Sequence, residues 1–236
     1  MPDNATIPEH AIHLHPTAPL AERVLLPGDP GRALALAQTL LAEPKMFNHN
    51  RGLWGYTGEA ADGHALTIQS TGMGGPSAAI VLDELIVLGV RRAIRVGACG
   101  ALERSLSLGE LVIAREAICA DGTSKALGAG ERASADARLS DALASAAPSA
   151  RAGTIVSVDL FYERDGARSA EHPALAVEME AATLFALGEH AQIPVACLLT
   201  VTDTFDANGA RSRIDSAALH SAAERMGEVA LAALAA

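Results

Sequence analysis

Apolar and polar positions follow two alternating patterns along the chain. Short aliphatic runs, which predict buried strands, occur at positions 24–26, 93–96, 111–114, 154–158 and 195–201. Apolar residues at helical spacing predict helices over 33–41, 77–88, 135–146, 178–190 and 216–235. Two further strands, at 54–59 and 65–70, flank Asp62-Gly63, a residue pair that favours a hairpin turn. Strands separated by helices predict an α/β fold whose mostly parallel or mixed sheet is covered on both faces.

Glycines and polar residues directly follow several of these predicted strands. Gly28 follows the first strand, Gly97 follows the run at 93–96, and Asp203 follows the run at 195–201. Glycines also occupy positions 72, 74 and 75, after the predicted hairpin. Because ligands in open α/β folds bind at the carboxyl ends of strands, we expect a binding site formed by these segments.

The size and composition of the chain suit a single α/β domain. Of its 236 residues, 50% are hydrophobic but only 3% are aromatic, so the core must consist mainly of aliphatic side chains. No internal repeat or change of composition marks a boundary. We therefore predict one domain over 1–236, with 1–12 as a flexible N-terminal extension and 120–137 as a surface excursion.

Charge and cysteine usage exclude several classes of protein. The net charge of −10 argues against a nucleic-acid or membrane-surface binder, which would need a broad basic patch. Three widely spaced cysteines indicate reduced thiols in a cytoplasmic protein. The N-terminus lacks signal-peptide features, and no apolar run approaches the roughly 20 residues of a membrane span. His10, His13 and His15 lack a set of further ligands, so we predict no metal site.

The stretch "LLPGDPGRA" brings two glycines, two prolines and Arg32 into one corner after the first predicted strand. A glycine backbone can approach an anion closely, and a guanidinium can hold that anion through two hydrogen bonds. An ordinary strand-to-helix turn with a solvated Arg32 is the alternative.

The second glycine stretch, "GMGGPS", has Ser77 where a dinucleotide-binding motif needs its third glycine. A nicotinamide cofactor is therefore not expected.

Four charged residues lie in apolar surroundings. Arg95 falls inside a strand, which predicts either a buried ion pair or an anion ligand. Glu178 and Glu180 fall at the start of a predicted helix, where carboxylates suit the helix dipole. Glu180 is predicted to face inward, where a carboxylate accepts hydrogen bonds from a sugar diol. Asp203 ends a strand, as either a turn cap or a general acid.

Taken together, these stretches resemble one family, the bacterial hexameric purine nucleoside phosphorylases of the nucleoside phosphorylase superfamily. The blocks that match, in order, are "LLPGDPGRA", "NHNRGLWGYTG", "TGMGGPSAAI", "IRVGACGA", "SVDLFY", "VEMEAATLF" and "TVTD". The match runs from about His13 to the end of the chain. It implies a single-domain, three-layer α/β/α fold with a mixed, partly barrel-like central sheet. It also implies a homohexamer, a trimer of dimers, with shared active sites.

The resemblance implies a role for each matching residue. Phosphate, a co-substrate, would be held by Arg51 of the neighbouring subunit and by Gly28, Arg32, Arg95, Val96, Gly97 and Ala98. The nucleoside would contact His13 of the neighbouring subunit (with His15 as the alternative) and Phe161, Glu178, Met179, Glu180, Thr202 and Asp203. Phosphate would attack C1′, and a protonated Asp203 would donate its proton to N7 of the purine. No resident cofactor is implied.

Two departures from the family pattern and three alternative functions accompany this interpretation. Ala98 stands where the family usually has a serine or threonine, which removes one hydroxyl donor to phosphate. Arg211 and Arg213 both lie near the position of an arginine that closes on the catalytic aspartate in some members. A uridine phosphorylase is disfavoured because the segment 161–178 is short and lacks glutamine. A nucleosidase would not need the phosphate arginines, and a non-enzymatic binding module would not need an acid at N7.

Overall fold

A computed structural model describes residues 11–162, 171–206 and 210–236 of the chain. The described residues form six helices: α1 (Pro30–Leu40), α2 (Gly75–Leu88), α3 (Gly122–Ala126), α4 (Ala137–Ala146), α5 (Ala181–Ala191) and α6 (Ser216–Ala235). They also form eleven strands: β1 (Arg23–Leu26), β2 (Leu41–Asn48), β3 (Gly55–Ala60), β4 (Ala65–Gln69), β5 (Arg92–Ala101), β6 (Leu111–Ala120), β7 (Arg132–Ser134), β8 (Arg151–Val158), β9 (Ala176–Glu178), β10 (Val195–Phe205) and β11 (Arg211–Arg213).

Five of the strands close into a mixed, barrel-like ring. β5 pairs in parallel with β10, which pairs antiparallel with β6. β6 and β8 are parallel, as are β8 and β9, and β9 returns antiparallel to β5. From β5 the sheet continues outward through β1, β4, β3 and β2. β5 is therefore the strand at which the ring and the open part of the sheet meet.

Helices cover both faces of this sheet. One buried apolar cluster joins α2 and α5 to β-strand residues such as Val24, Cys99 and Leu199. The other joins α1, α4 and α6 to residues such as Leu25, Ile94 and Leu198. Successive strand residues thus enter opposite clusters, as the two-residue period of a strand requires. The mixed, partly barrel-like α/β fold predicted from the sequence is confirmed.

Most predicted elements occur in the structure, with several differences, among them the unpredicted three-residue strand β11. β2, which follows α1 directly, was not predicted, because five of its eight residues are exposed and it lacks an apolar run. The segment 120–137 is not simply a surface excursion, since it contains α3 and β7 and buries Asp121 completely. The helix predicted over 178–190 begins only at Ala181, because Glu178 ends β9.

The two chain termini differ in what the structure describes. Residues 1–10 of the predicted N-terminal extension lie outside the described residues, whereas the backbone N–H of Ile12 donates to Glu84 at 3.0 Å. At the other end, α6 begins after Asp215, whose carboxylate accepts from the N–H of Ala218. Within the described ranges, every helix is too short or too polar to cross a bilayer.

Candidate active site

The turn between β1 and α1 lies against two other segments of the chain. Asp29 caps α1, because its carboxylate accepts from the backbone N–H of Arg32 at 2.6 Å. A Cβ atom added at Gly28 would lie 3.1 Å from the carbonyl oxygen of Gly72 and 3.9 Å from Nη1 of Arg95. The glycine turn, the Gly72 segment and Arg95 therefore meet at the carboxyl ends of β1 and β4, beside the middle of β5.

Arg32 and Arg95 make this meeting point positively charged. Arg32 is half-buried, and burial lowers the pKa of its guanidinium; the charge of Asp29 opposes this effect, and that of Arg95 reinforces it. Within the described part of the chain, no hydrogen bond engages the Arg32 guanidinium. Two neighbouring cations repel each other, so an anion placed between them would be stabilised.

The guanidinium of Arg95 is buried between two carboxylates. Its Nε donates to Glu178 at 2.9 Å, and its Nη2 donates to Glu180. Burial alone would lower the pKa of Arg95, but the charges of Glu180 and Glu178 outweigh burial and raise it. The third nitrogen, Nη1, is buried and finds no acceptor among the described residues. An unpaired buried donor is costly, which indicates that a ligand completes this group.

Gly97 makes room for that guanidinium. A Cβ atom at position 97 would lie 2.8 Å from both Cζ and Nη2 of Arg95, closer than a side chain can approach. Arg95 therefore extends along its own strand over residue 97. Val96 is buried in the cluster on the opposite face, and Ala98 is half-buried. The backbone from 96 to 98 thus continues from Arg95 toward the end of β5.

Glu180 faces inward, as the sequence predicts, and does not cap α5 with its side chain. Its Oε1 accepts from the backbone N–H of Gly74 at 2.5 Å, and its Oε2 accepts from Arg95. Burial raises the pKa of Glu180; Arg95 opposes this shift and Glu178 adds to it. Met179 is half-buried between the two glutamates. A carboxylate has about four acceptor positions, so Glu180 retains capacity for a ligand's hydroxyl groups.

Glu178 is the last residue of β9, and its carboxylate lies at the start of α5. Its carboxylate accepts from Arg95, from the hydroxyl of Ser157, and from the backbone N–H groups of Glu180 and Ala181. Two of these donors are the backbone N–H groups at the start of α5, so the carboxylate interacts with the helix N-terminus as expected, and it also pairs with Arg95. Nothing in the sequence near Ser157 indicates its contact with Glu178, because the two residues lie on different strands.

Asp203 lies near the end of β10, beside Gly100 of β5 in the parallel pairing. The hydroxyl of Thr202 lies 2.8 Å from Oδ2 of Asp203 and 3.2 Å from the carbonyl oxygen of Cys99. Nε of Arg211 donates to Oδ1 of Asp203 at 2.7 Å, and this hydrogen bond raises the pKa of Arg211. Of the two arginines near this position, Arg211 therefore makes the hydrogen bond, whereas Arg213 approaches only to 3.9 Å.

Aromatic side chains lie close to the neighbours of Asp203. The exposed Phe161 ring meets that of Tyr162 edge-on at 5.0 Å, and Cζ of Arg211 lies 5.0 Å from the centre of the Phe161 ring. Phe205 lies 3.7 Å from the position of a Cβ at Gly100. The sequence pointed to Phe161 but missed Tyr162 and Phe205, because single exposed aromatics carry no distinctive spacing. Together they form an incomplete apolar wall for a planar ligand.

His13 lies beside the segment that carries Arg51. Nδ1 of His13 is 2.6 Å from Oε1 of Glu84, and the carbonyl oxygen of His13 accepts from the side chain of Asn50, the residue before Arg51. Arg51 is exposed, with φ of 58°. His15 is also exposed. In the described ranges, neither His13 nor Arg51 makes a hydrogen bond to the residues around Arg95.

The comparison with protein families decides the wider relationship. A model described as the Phosphorylase superfamily matches residues 22–235, which is most of the chain. The chain belongs to the phosphorylase superfamily. The cluster around Arg95 and the end of β10 at Asp203 both fall inside the matched range.

Curated members of the superfamily give closer matches. The chain is 36% identical over 200 residues to a protein of Alkaliphilus metalliredigens named purine nucleoside phosphorylase DeoD-type, with 80% of this chain and 85% of that protein covered. It is also 36% identical over 196 residues to the protein of the same name from Oceanobacillus iheyensis, with 78% and 83% covered. A crystal structure of uridine phosphorylase from Vibrio fischeri superposes with a TM-score of 0.81 at 25% identity, covering 92% of each chain.

Proposed function

We propose that this superfamily member catalyses the phosphorolysis of purine ribonucleosides and 2′-deoxyribonucleosides to the free base and (2-deoxy)ribose 1-phosphate. The names of its curated relatives support the purine substrate class. The observation that carries the proposal is the buried Nη1 of Arg95, which has no acceptor among the described residues and lies beside the Gly28 turn. A phosphate oxygen at this point would satisfy it.

Phosphate binding would rest on three arginines and two backbone segments. Arg32 and Arg95 would hold the dianion, with Arg51 supplied by the neighbouring subunit. Gly28 and the backbone of Val96, Gly97 and Ala98 would complete the contacts. Charge-assisted hydrogen bonds to a fixed guanidinium are the strongest that proteins make to phosphate. They would also hold one phosphate oxygen close to C1′ in a reactive orientation.

The nucleoside would bind with its base on the side of C1′ opposite to phosphate. Glu180 would accept hydrogen bonds from the ribose hydroxyls, with Met179 beside the sugar and the neighbouring subunit's His13 or His15 at the 5′-hydroxyl. Glycosidic cleavage builds positive charge on the ribose, and an ionised Glu180 stabilises that charge. Glu178 belongs to the nucleoside contacts only by resemblance, and its own contacts suggest another role.

The departing base would be protonated by Asp203. Negative charge develops on the purine as the bond breaks, and a proton donated to N7 lets the base leave neutral. Thr202 and Arg211 orient the two carboxyl oxygens of Asp203. Phe161 offers an aromatic ring at the same end of the site. Because an aspartate at position 203 can donate a proton to N7, we expect activity on both 6-amino and 6-oxo purines.

We further propose a cytoplasmic homohexamer with phosphate as co-substrate and no resident cofactor. Within the described ranges neither His13 nor Arg51 bonds to the Arg95 cluster, and Arg51 is exposed, which supports sites shared between subunits. Size-exclusion chromatography with light scattering measures the assembly directly. A monomeric enzyme with full activity would overturn this part of the proposal.

Uridine phosphorolysis is the second candidate. The structural similarity to the Vibrio fischeri uridine phosphorylase supports it, since that match covers 92% of both chains. The higher identity to proteins named for purine substrates, together with the absence of glutamine from 161–178, favours purines.

The experiment is turnover of the purified protein with inosine, adenosine, guanosine or uridine, each with and without inorganic phosphate. Free base and sugar phosphate are measured by liquid chromatography. Purine release that requires phosphate is the expected result. Preferential uridine cleavage would establish the second candidate, and phosphate-independent release of free ribose would indicate a hydrolase. No release with any nucleoside would indicate a binding module.

A further inference from the structure

We propose that Glu178 is a positioning residue for Arg95, and that Ser157 in turn holds Glu178. This inference rests on the proposed function, because it assigns the role of Arg95 to phosphate. It departs from the nucleoside contact that the family resemblance implies for Glu178. In this arrangement the Glu178 carboxylate never touches the substrate, yet it determines where the free N–H groups of Arg95 point.

The carboxylate of Glu178 has little capacity left for a substrate. Oε2 accepts from Arg95 at 2.9 Å and from the N–H of Glu180 at 2.9 Å, and both oxygens lie 3.0 Å from the N–H of Ala181. Oε1 also accepts from the Ser157 hydroxyl. Only 4% of Glu178 is exposed. Four donors therefore occupy a buried group whose acceptor capacity is about four.

Ser157 fixes the orientation of this carboxylate. Its hydroxyl oxygen accepts from the backbone N–H of Ala182 at 2.9 Å, in the first turn of α5. Because that contact uses a lone pair, the single hydroxyl hydrogen is directed to Oε1 of Glu178. Ser157 has no measurable exposure. Its position on β8 therefore ties the carboxylate to both the barrel and the start of α5.

Arg95 transmits this orientation to the site. A guanidinium is planar, so a hydrogen bond at Nε to Glu178 and another at Nη2 to Glu180 fix the direction of Nη1. Glu180, the proposed ribose contact, holds only Nη2, and a single hydrogen bond does not fix the orientation of a planar guanidinium. Glu178 contacts Arg95 at Nε, the guanidinium nitrogen that is bonded to the aliphatic part of the side chain. It thereby acts as the fixed partner of the guanidinium.

The test is the Glu178→Gln variant. A glutamine side chain has the same size as glutamate. In either orientation of its amide, however, the NH2 group faces an N–H or O–H group that donated a hydrogen bond to the carboxylate. We expect the KM for phosphate to rise about tenfold or more, because a misdirected guanidinium loses its contact with the anion. The KM for inosine at saturating phosphate is expected to stay within about twofold of the wild type. Isothermal titration with phosphate alone is expected to show the same loss of affinity without turnover.

Two further variants separate positioning from general destabilisation. Asp62→Asn breaks another arginine–carboxylate pair, with the buried Arg23 at the start of β1, and we expect it to leave phosphate affinity unchanged. Ser157→Ala keeps the Arg95–Glu178 pair and removes the hydroxyl that orients the carboxylate, together with that hydroxyl's contact with the N–H of Ala182. It is expected to raise the KM for phosphate by a smaller factor than Glu178→Gln. If Glu178→Gln does not fold, Ser157→Ala carries the test.

The outcomes distinguish this inference from the proposed function. Unchanged phosphate affinity in folded Glu178→Gln, or in Ser157→Ala where only that variant folds, would overturn the positioning role. A raised KM for inosine with an unchanged KM for phosphate would instead make Glu178 a nucleoside contact. An equal loss of phosphate affinity in Asp62→Asn would show that the loss in Glu178→Gln results from lower stability and not from positioning of Arg95. Failure of the wild-type protein to cleave any nucleoside would contradict the function, while phosphate titration would still test Glu178.

Discussion

At the scale of single residues, the buried positive charge of Arg95 and the buried negative charges of Glu178 and Glu180 stabilise one another. Taking a guanidinium out of water is unfavourable, and so is burying Glu178 and Glu180 together. The three groups can be buried together because each carboxylate accepts a hydrogen bond from the same guanidinium. The remaining nitrogen faces the Gly28 turn without a partner among the described residues. The unpaired Nη1 donor of Arg95 is therefore suited to reversible binding of an anion.

Substitution of Asp203 tests the proton-donor role. We expect Asp203→Asn to lower kcat/KM for adenosine by about a hundredfold or more, the usual contribution of a general acid. For inosine the loss should be about tenfold or less, because a 6-oxopurine leaves more easily without protonation at N7. Steady-state kinetics on both nucleosides measures the two losses. Equal losses would remove the assignment of Asp203 as the acid.

Substitution of Gly97 tests the placement of the Arg95 guanidinium. The Cβ of Gly97→Ala would lie 2.8 Å from Cζ and Nη2 of Arg95, so the guanidinium must move away from Glu180. We expect the KM for phosphate to rise about tenfold or more, since the charge-assisted contacts depend on geometry. Gly130→Ala is the matched control, because its Cβ meets nothing within 4 Å. An unchanged KM for phosphate in Gly97→Ala would show that Arg95 does not contact the anion.

At the scale of secondary-structure elements, α5 and β10 pack tightly at one glycine. A Cβ at Gly188 would lie 2.5 Å from Cγ2 of Val195 and 3.1 Å from the carbonyl oxygen of Ile193. Because the backbone oxygen cannot move aside like a side chain, we expect Gly188→Ala to lower the free energy of unfolding by about 1–3 kcal/mol. Urea denaturation, with Gly130→Ala as reference, measures the change. A stability equal to that of the reference would show that the α5–β10 contact is loose.

The elements also show what the sequence could and could not predict. α6, the hairpin of β3 and β4, and the buried strands were predictable because apolar period and turn residues act locally. β7 and β11 are three residues long and mostly exposed, so no local pattern indicates them. The glycine turn and Arg95 were visible as candidate anion ligands. The Ser157–Glu178 contact was not, because strand pairing brings β8 and β9 together only in the folded chain.

At the scale of the whole molecule, the proposed site is incomplete within one chain. Asp203 and Glu180 are buried within their own chain, whereas Arg51 is exposed. If Arg51 acts in the neighbouring subunit, then Arg51→Ala and Asp203→Asn damage different sites of a mixed assembly. Each mixed pair then contains one intact site and one site with both lesions.

Co-expression of these two variants therefore has a quantitative expected outcome. With adenosine as substrate, each variant alone should be nearly inactive, while random pairing should restore about a quarter of the wild-type activity. The control is co-expression of Asp203→Asn with Glu180→Ala, whose lesions never leave an intact site in any pairing. Recovery in the first mixture and not in the second would place Arg51 across the subunit boundary. Activity no higher than the mean of the two parents would mean that each chain builds its phosphate site without its neighbour.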